Sequence, residues 1–423
     1  MNILDYNPWW QKEPDLFYQE WFNKKIKWIP KILNEIPISG FSLNFITGPR
    51  QVGKTTALKI FINRLLKKNV NPFSIFYCPC DELLTFSELG EVLDQYLSIK
   101  NAYNIKLSYI ILDEISFVKE WWRAIKIRID SGKFKNDVII ISGSSSVELL
   151  KEKERFPGRR GTGKDLILYP LNFGDFVELF IHNLKRESLE SFTSIDDFIA
   201  PNLAFKEKIT ELFNNYLITG GFPLSIQDFF ERRKIRPEIK RTYLDWIRGD
   251  IIKSGKNEIS MKEVISYLLQ SRCTLISWLS ISKSTSINSP HTVQSYIDTL
   301  ESLFIIKILY HLSPDGKVNY RKNKKIHFID PFLYSVLSDF TNIKVYDEII
   351  VESIVASHLS RIYPTFYWRN SSEVDIISII NNEQIGFEIK WGPKKWKKPL
   401  HIKKAELLKQ NTIPLFLATC DWS

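Results

Sequence analysis

Cysteine, histidine and repeated sequence are all scarce in this chain. It has 423 residues but only 4 cysteines and 6 histidines, and Cys78 and Cys80 form the one close pair of cysteines. This number and spacing suit neither a disulfide framework nor a four-ligand zinc site. No internal repeat or low-complexity segment stands out, which argues against repeat architectures.

The sequence also lacks long uncharged apolar runs and a basic leader. Its apolar runs are far shorter than the roughly 20 residues that a membrane-spanning helix requires. The first residues, Met1–Asp5, have no basic region of the signal-peptide type. We therefore predict a cytoplasmic protein without a membrane partner.

What the chain does have is an ordinary globular composition with an excess of basic charge. Hydrophobic residues make up 44% and charged residues 25% of its 423 residues, which predicts two or three globular units. The net charge is +10 and the pI is about 9.1. A basic balance of this size favours an acidic partner, and DNA is the partner that we expect.

The stretch Gly48–Thr56 spells G-x-x-x-x-G-K-[ST], the phosphate-binding loop. A strand-like segment precedes it at 41–46, and helical apolar spacing follows it at 56–66. Loop N–H groups and the helix N-terminus hold phosphate oxygens in such a loop, while Lys54 reaches the β- and γ-phosphates and Thr55 binds Mg²⁺. The predicted phosphate ligands are Gly48, Pro49, Arg50, Gln51, Val52, Gly53, Lys54, Thr55 and Thr56. We expect ATP and Mg²⁺ as cofactors, although no residue that would distinguish ATP from GTP stands out.

A second acidic strand completes the predicted nucleotide site. The apolar run Tyr109–Leu112 leads into Asp113 and Glu114. At the carboxyl end of a buried parallel strand, Asp113 is placed to hold Mg²⁺, directly or through water. Glu114 is then the candidate general base, because hydrolysis needs a carboxylate that orients water and accepts its proton.

Two further candidates follow the strand predicted at 138–142. Ser144, just beyond that strand, is our candidate for sensing the γ-phosphate. The stretch Gly158–Lys164 also matches G-x-x-x-x-G-K, but a strand follows it where a helix would be needed. Its Arg159 and Arg160 are better suited as an arginine finger, in cis or from a neighbouring copy in a homo-oligomer. A flexible basic turn is the alternative.

These elements together resemble archaeal AAA+-type ATPases whose phosphate loop reads Gly-Pro-Arg-Gln-Val-Gly-Lys-Thr-Thr. The likeness continues through Asp113, Gly143–Ser145, and the Gly158–Arg159 loop ahead of Pro170. It implies an α/β P-loop ATPase core with a parallel sheet. It also implies a C-terminal domain of unknown function that looks like a winged helix joined to a small α/β restriction-endonuclease-like PD-(D/E)xK domain.

The pattern along the chain predicts four domains. Strands at 41–47, 74–79, 108–112, 138–142 and 166–169 alternate with helices, which predicts a parallel sheet covered on both faces. Before them, Phe22, Ile26, Ile29 and Leu33 predict one face of a helix. The predicted domains are an ATPase core at 1–170, a helical lid at 171–255, a winged helix at 256–330 and a nuclease-like domain at 331–423.

The predicted winged helix has a second helix that begins at Ser289 and Pro290. Its buried stripe comprises Val293, Tyr296, Ile297 and Leu300. Contact with DNA and a packing role between domains are both open for this module.

Basic residues cluster near the C-terminus. Between Lys390 and Lys409 there are eight lysines against one glutamate. Such a patch suits phosphate neutralisation and stacking on bases, and a solvated lysine face is the alternative. The predicted nucleic-acid contacts are Lys394, Lys395, Trp396, Lys397, Lys398, Arg321 and Lys322.

A hairpin near the C-terminus has the residues of a second site. Alternation through Glu373–Ile377 and Ile385–Lys390, with a turn at Asn381, brings Glu388 and Lys390 to one face. With Asp375 these residues resemble the Asp, Glu-x-Lys core of restriction-endonuclease-like nucleases, and Glu352 matches their additional helix carboxylate. Two carboxylates and a lysine suit metal-assisted phosphodiester cleavage. A surface salt-bridge ladder is the alternative.

The sequence as a whole predicts a Mg²⁺-dependent ATPase that acts on DNA and has a nuclease-like C-terminal domain. One alternative is a signalling ATPase that switches protein partners and has an inert C-terminal scaffold. Another is a structural nucleic-acid-binding protein that turns over little nucleotide, against which Glu114 argues.

Overall fold

The computed structural model describes residues 2–143, 155–369, 373–392, 396, 398, 402 and 404–422. The chain forms two compact units, Met1–Tyr169 and Pro170–Ser423. Within the described residues, no helix combines the length and apolar character that crossing a membrane requires.

The first unit is built on a five-stranded parallel sheet. Its strands are β1 (Ser42–Thr47), β2 (Ile75–Pro79), β3 (Tyr109–Asp113), β4 (Val138–Ser142) and β5 (Asp165–Ile167), and its helices are α1 (Leu16–Phe22), α2 (Lys54–Lys67), α3 (Phe86–Ala102) and α4 (Trp121–Asp130). The strand order is β2-β3-β4-β1-β5, so β4 lies between β1 and β3. The central strands are continuous buried apolar runs, as a sheet covered on both faces requires. The predicted parallel sheet is confirmed.

The predicted helix through Phe22, Ile26, Ile29 and Leu33 is wrong. The observed α1 ends at Phe22, and only a short 3₁₀ turn, Lys31–Asn34, follows. Pro30 would interrupt a helix that continued to Leu33, since proline lacks an N–H and disfavours helical geometry in the residue before it, but α1 already ends before it. Phe22 and Ile29 are 52% and 44% exposed, and only Leu33 of the predicted face is fully buried.

The second unit combines helices with two further sheets. Its helices are α5 (Phe173–Glu178), α6 (Ile195–Ile199), α7 (Lys206–Thr219), α8 (Pro223–Arg232), α9 (Pro237–Lys253), α10 (Glu258–Gln270), α11 (Trp278–Lys283), α12 (Pro290–Ser302), α13 (Pro331–Thr341), α14 (Asp347–Ile362) and α15 (Ile413–Thr419). Its strands are β6 (Ile306–Leu309), β7 (His311–Leu312), β8 (Val318–Asn319), β9 (Lys325–Phe328), β10 (Thr365–Arg369), β11 (Glu373–Ile380), β12 (Glu383–Lys390) and β13 (Lys404–Lys409). They form a six-stranded sheet, β13-β12-β11-β10-β7-β8, and a two-stranded sheet, β6-β9.

Helices α10, α11 and α12 precede the antiparallel pair of β6 and β9, which is the order of elements in a winged helix. Val293, Tyr296, Ile297 and Leu300 are buried on α12, as the spacing predicted. The hairpin of β7 and β8 leaves this module and joins the C-terminal sheet through β10. Strand pairing therefore crosses the predicted boundary at 330, since β7 lies before it and β10 lies after it. Local sequence does not show which distant strands will pair.

The segment predicted as a lid, 171–255, belongs to the second unit. The N–H of Phe173 donates to His358 Nε2 at 2.8 Å. Asn202 Nδ2 donates to Thr419 Oγ1 at 2.9 Å, next to the C-terminal end of α15. The start of this helical segment is thus packed against α14 and α15, and its role as a nucleotide lid stays a prediction.

Candidate functional site

The phosphate loop joins the carboxyl end of β1 to the start of α2. Three of its residues have positive φ, namely Gly48 at 148°, Gln51 at 60° and Gly53 at 94°. Backbone of this kind turns successive N–H groups inward, as anion-binding loops do. Gly53 provides no side-chain cap for α2, so the first N–H groups of this helix are suited to an anion.

Gly48 is the tightest point of the loop. A Cβ on this residue would overlap the carbonyl oxygen of Leu168, whose own N–H donates to Thr47 O at 2.8 Å. Only glycine fits where the loop passes this close to the backbone that follows β5.

Lys54 lies at the start of α2 with its ammonium inside the loop. Its Nζ donates to the carbonyl oxygens of Gly48 and Pro49, both at 3.1 Å, and lies 3.8 Å from Glu114 Oε1. The residue is only 4% exposed. A buried ammonium that loop carbonyls and a carboxylate hold in place is ready to bind phosphate oxygens instead.

Asp113 ends β3 and is held from two sides. Its Oδ2 accepts from the hydroxyl of Tyr77 at 2.9 Å, and its Oδ1 accepts from the hydroxyl of Ser142. Burial, together with the charge of Asp113, raises the pKa of Tyr77, so the phenol remains a donor. Asp113 and the Thr55 hydroxyl offer the hard oxygen donors that Mg²⁺ prefers.

Ser142 is the residue that our sequence reasoning missed. Its Oγ also accepts from the N–H of Glu114 at 3.1 Å, so one hydroxyl contacts both acidic residues. Glu114 has a left-handed φ of 52°, which is costly outside glycine and turns the carboxylate toward Lys54. Ser144, the predicted sensor of the γ-phosphate, lies outside the described residues. The sequence does show that Ser142 is a hydroxyl residue at the end of β4. It does not show that β4 lies beside β3, which is what brings Ser142 to Asp113.

Arg159 and Arg160 are both engaged in ion pairs within the first unit. Arg159 pairs with Asp130 at 2.6 Å, and Arg160 pairs with Asp165 at 2.8 Å. The carbonyl of Arg160 accepts from the N–H of Leu43, near the amino end of β1, and its guanidinium lies over the ring of Phe45. An arginine finger, in cis or from a neighbouring copy, stays a prediction.

The second site contains the predicted nuclease-like residues Glu352, Asp375, Glu388 and Lys390, together with Glu373 and Lys325. We call these six residues the carboxylate centre. Asp375 Oδ2 accepts from the N–H of Ile389 at 3.0 Å, and Glu388 Oε2 accepts from the N–H of Asp375 at 3.3 Å. Lys390 pairs with Glu388 and lies 4.0 Å from Asp375 Oδ2. Residues 381 and 382 have left-handed φ, which gives the predicted hairpin its tight turn.

Lys325, at the start of β9, was not predicted and lies at the heart of this centre. Its Nζ is 2.9 Å from Asp375 Oδ1, 3.0 Å from Glu373 Oε1 and 3.1 Å from Glu352 Oε1. Mg²⁺ needs such oxygens at about 2.0–2.1 Å, so an ammonium at this point takes its place. In the arrangement observed, the residues do not fit a metal here.

Burial and charge perturb the carboxylates of the centre unequally. Burial raises the pKa of Glu352 to about 7, against the opposing effect of Lys325. Burial and the charge of Asp375 also raise the pKa of Glu388. Burial acts the same way on Asp375, but Lys325 and the N–H of Ile389 outweigh it and lower the pKa of that carboxyl.

Cys273 and His327 also lie close to Glu352. One ligand atom from each of the three lies within 4.8 Å of the others. His327 Nε2 is buried and has no hydrogen-bond partner among the residues that the structure describes. The three residues come from separate elements, so chain spacing gave no sign of this group.

The predicted nucleic-acid contacts differ in their surroundings. Arg321, Lys322 and Lys398 are exposed. Trp396 is partly buried against a core cluster that includes Trp368 and Ile402, and its contact with nucleic acid stays a prediction. Lys394, Lys395 and Lys397 lie outside the described residues.

Replacing Gly48 by alanine tests the geometry of the loop. We expect Gly48→Ala to weaken ATP binding at least about tenfold, because the added Cβ overlaps Leu168 O and displaces the N–H groups. Titration with a fluorescent ATP analogue measures the effect. Gly132→Ala is the matched control, since Gly132 also has positive φ but has open space around it. Equal affinity for both variants would contradict the assigned loop geometry.

Comparison with known proteins agrees with this geometry. Residues 41–177 match the family described as an AAA domain, and residues 210–344 match a domain of unknown function, DUF8612. An uncharacterized protein of Haemophilus influenzae is 24% identical over 381 residues, which cover 85% of this chain and 86% of that protein.

Two solved structures are similar at a lower level. The ORC2 protein of Aeropyrum pernix has a TM-score of 0.38 and 11% identity, with 77% of this chain and 92% of that chain covered. The RuvB Holliday junction branch migration motor of Thermotoga maritima has a TM-score of 0.26 and 16% identity, with 66% and 84% covered. The fold of the first unit is therefore assigned from the family match, the phosphate loop and the strand order. Residues 41–177 match the AAA domain family, and the first unit has the P-loop NTPase fold of the AAA+ class.

Proposed function

We propose that this protein binds and hydrolyses ATP at the carboxyl edge of the sheet in the first unit. The observation that carries the proposal is the hydroxyl of Ser142, which contacts both Asp113 and the backbone of Glu114. With Lys54 3.8 Å from Glu114, the loop and the acidic pair form one site. A bare binding loop would need no such carboxylate.

Binding begins with an exchange of partners at Lys54. Its ammonium leaves the carbonyls of Gly48 and Pro49 for phosphate oxygens, while loop N–H groups hold the remaining oxygens. Thr55 and Asp113 would hold Mg²⁺, which neutralises phosphate charge when bound. Tyr77 and Ser142 keep the carboxylate of Asp113 oriented throughout.

Hydrolysis depends on the carboxylate of Glu114. Its side chain is 25% exposed, so water reaches it, and its backbone is anchored by Ser142. The carboxylate orients a water toward the γ-phosphate and accepts its proton.

Substitution of Glu114 separates binding from turnover. We expect Glu114→Gln to lower ATP turnover about 10²- to 10⁴-fold while ATP still binds, because the amide cannot accept the proton. The control is Glu120→Gln, since Glu120 has the same left-handed φ of 52° but pairs with Arg123 on the surface. Steady-state phosphate release and equilibrium binding measure the two effects. Full turnover in Glu114→Gln would exclude this residue as the base.

We also propose that the second unit binds DNA. The proposal is supported by the winged-helix order of elements and by the exposed Arg321 and Lys322. The rival is a switch for protein partners, in which the basic charge merely solvates the surface.

Paired substitution of Arg321 and Lys322 distinguishes these functions. If both side chains contact phosphates, Arg321→Ala with Lys322→Ala lowers the slope of log affinity against log salt by about 2. Fluorescence anisotropy with duplex and branched DNA at several salt concentrations measures this. Lys24→Ala with Lys25→Ala, two exposed lysines of the first unit, is the control. Unchanged slopes, or no DNA binding by the wild type, favour the protein switch.

Phosphodiester cleavage in the carboxylate centre is a second candidate function. The observation that favours it is that Asp375, Glu388 and Lys390 meet as predicted, and that Lys325 links Asp375 to Glu352. Cleavage would occur on DNA bound to the second unit. An inert scaffold remains the alternative.

Asp375→Ala tests cleavage directly. We expect the variant to lose nicking of branched, single-stranded or duplex DNA in the presence of Mg²⁺ and ATP. The reason is that Asp375 contacts Glu388 and Lys325 and lies near Lys390, so its loss disrupts the whole centre. The control is Asp339→Ala, an exposed aspartate of α13 in the same unit. Electrophoresis of labelled DNA gives the readout. If Asp375→Ala cuts as well as the wild type, the nuclease assignment is wrong.

A further inference from the structure

The carboxylate centre holds a cation of its own. Lys325 is the first residue of β9, and its side chain is 2% exposed. An ammonium has three N–H donors, and here three carboxylates lie within 3.1 Å of it. The donors and acceptors are matched, as a buried charge requires.

These acceptors include the oxygens that a metal would need. Glu352 is on α14 and Asp375 is on β11, and Nζ lies between them at 3.1 Å and 2.9 Å. A divalent cation bound to both oxygens would lie within about 2–3 Å of each. It would therefore overlap the ammonium.

The second lysine of the centre is placed differently. Lys390 is 21% exposed and reaches Glu388 from the edge of the centre, 4.0 Å from Asp375 Oδ2. Lys390 thus has the position that the Glu-x-Lys pattern predicted. Lys325 is additional and lies at the middle of the carboxylates.

The charge of Lys325 is stable in this environment. Burial alone would lower the pKa of Lys325, but Glu352, Asp375 and Glu373 outweigh it and raise the pKa well above its usual value. A divalent cation that binds these oxygens therefore has to displace an ammonium that three carboxylates already hold.

We propose that Lys325 is a resident counter-ion that occupies the cation position of the carboxylate centre and keeps divalent metal out of it in the DNA-free chain. This proposal deepens the second candidate function, phosphodiester cleavage in the carboxylate centre. It rests on that function only in taking the same carboxylate oxygens as the metal ligands. Metal exclusion is a property of the folded unit, whether or not the centre cleaves DNA.

The adjacent lysine provides a matched control. Lys324 is also buried, but its Nζ lies over the ring of Trp278 at 4.9 Å instead of among the carboxylates. Lys324→Met and Lys325→Met therefore remove the same charge from adjacent residues, one just before β9 and one at its start. Only the second leaves the carboxylates without their cation.

The test is Mn²⁺ binding by the full-length chain without nucleotide or DNA, followed by electron paramagnetic resonance of free Mn²⁺. We expect Lys325→Met to bind one Mn²⁺ at least about tenfold more tightly than the wild type or Lys324→Met, because metal no longer displaces an ammonium. Adding Asp375→Asn to Lys325→Met should abolish the gain. Equal Mn²⁺ affinity in the wild type, Lys324→Met and Lys325→Met would overturn the proposal.

Two further measurements keep the outcome decisive. Lys325→Met should melt at a lower temperature than the wild type, and Mn²⁺ should restore its melting temperature, since a ligand of the folded state stabilises it. Should Lys325→Met fail to fold even with Mn²⁺, Lys325→Gln, whose amide still donates to carboxylates, takes its place. A gain that Cys273→Ser removes and Asp375→Asn does not would place the metal at Cys273 and His327, and would overturn the proposal.

The DNA cleavage assay stays separate from this test. If Asp375→Ala cuts DNA normally, the second candidate function fails while metal exclusion by Lys325 can still hold. If Mn²⁺ binds the wild type as tightly as Lys325→Met, the inference fails while the cleavage assay is unaffected.

Discussion

The parallel direction of all five strands in the first unit is the constraint on which its site depends. Parallel strands bring their carboxyl ends to one edge, so the loop after β1, Asp113 at the end of β3 and Ser142 at the end of β4 become neighbours. A buried ion pair secures the opposite edge. Lys100 Nζ donates to Asp137 at 2.6 Å, and Asp137 also accepts from the N–H of Ser108 at 2.8 Å. The amino ends of β3 and β4 are thereby tied together, which holds their register.

The second unit brings several carboxylates together in one largely buried site. A single ammonium lies among Glu352, Glu373 and Asp375 and compensates their charges. That ammonium comes from β9, a strand that pairs with β6, while the carboxylates come from α14 and β11. The same residue that allows the centre to form also opposes metal within it, so assembly and metal access are linked through one side chain.

Local patterns predicted the elements whose causes are local. The phosphate loop needs glycines at fixed spacing, and the hairpin of β11 and β12 needs alternation with a turn at Asn381, so both are legible in the chain. The helix predicted through Ile26 and Ile29 is absent, because apolar spacing alone does not make a helix and Pro30 would interrupt one that reached Leu33. Trp396 is partly buried against a core cluster, a contact with distant residues that local sequence does not show.

The sequence by itself determined that a P-loop fold with an acidic strand is present, and that Asp375, Glu388 and Lys390 share one hairpin, because each follows from spacing within a few residues. Tertiary structure decided the rest. It placed Ser142 beside Asp113, set the backbone of Arg160 beside the amino end of β1, joined β7 to the C-terminal sheet and brought Lys325 among the carboxylates. The reason is physical: these contacts join elements that are distant in sequence, and only the packing of whole strands and helices determines which distant side chains meet.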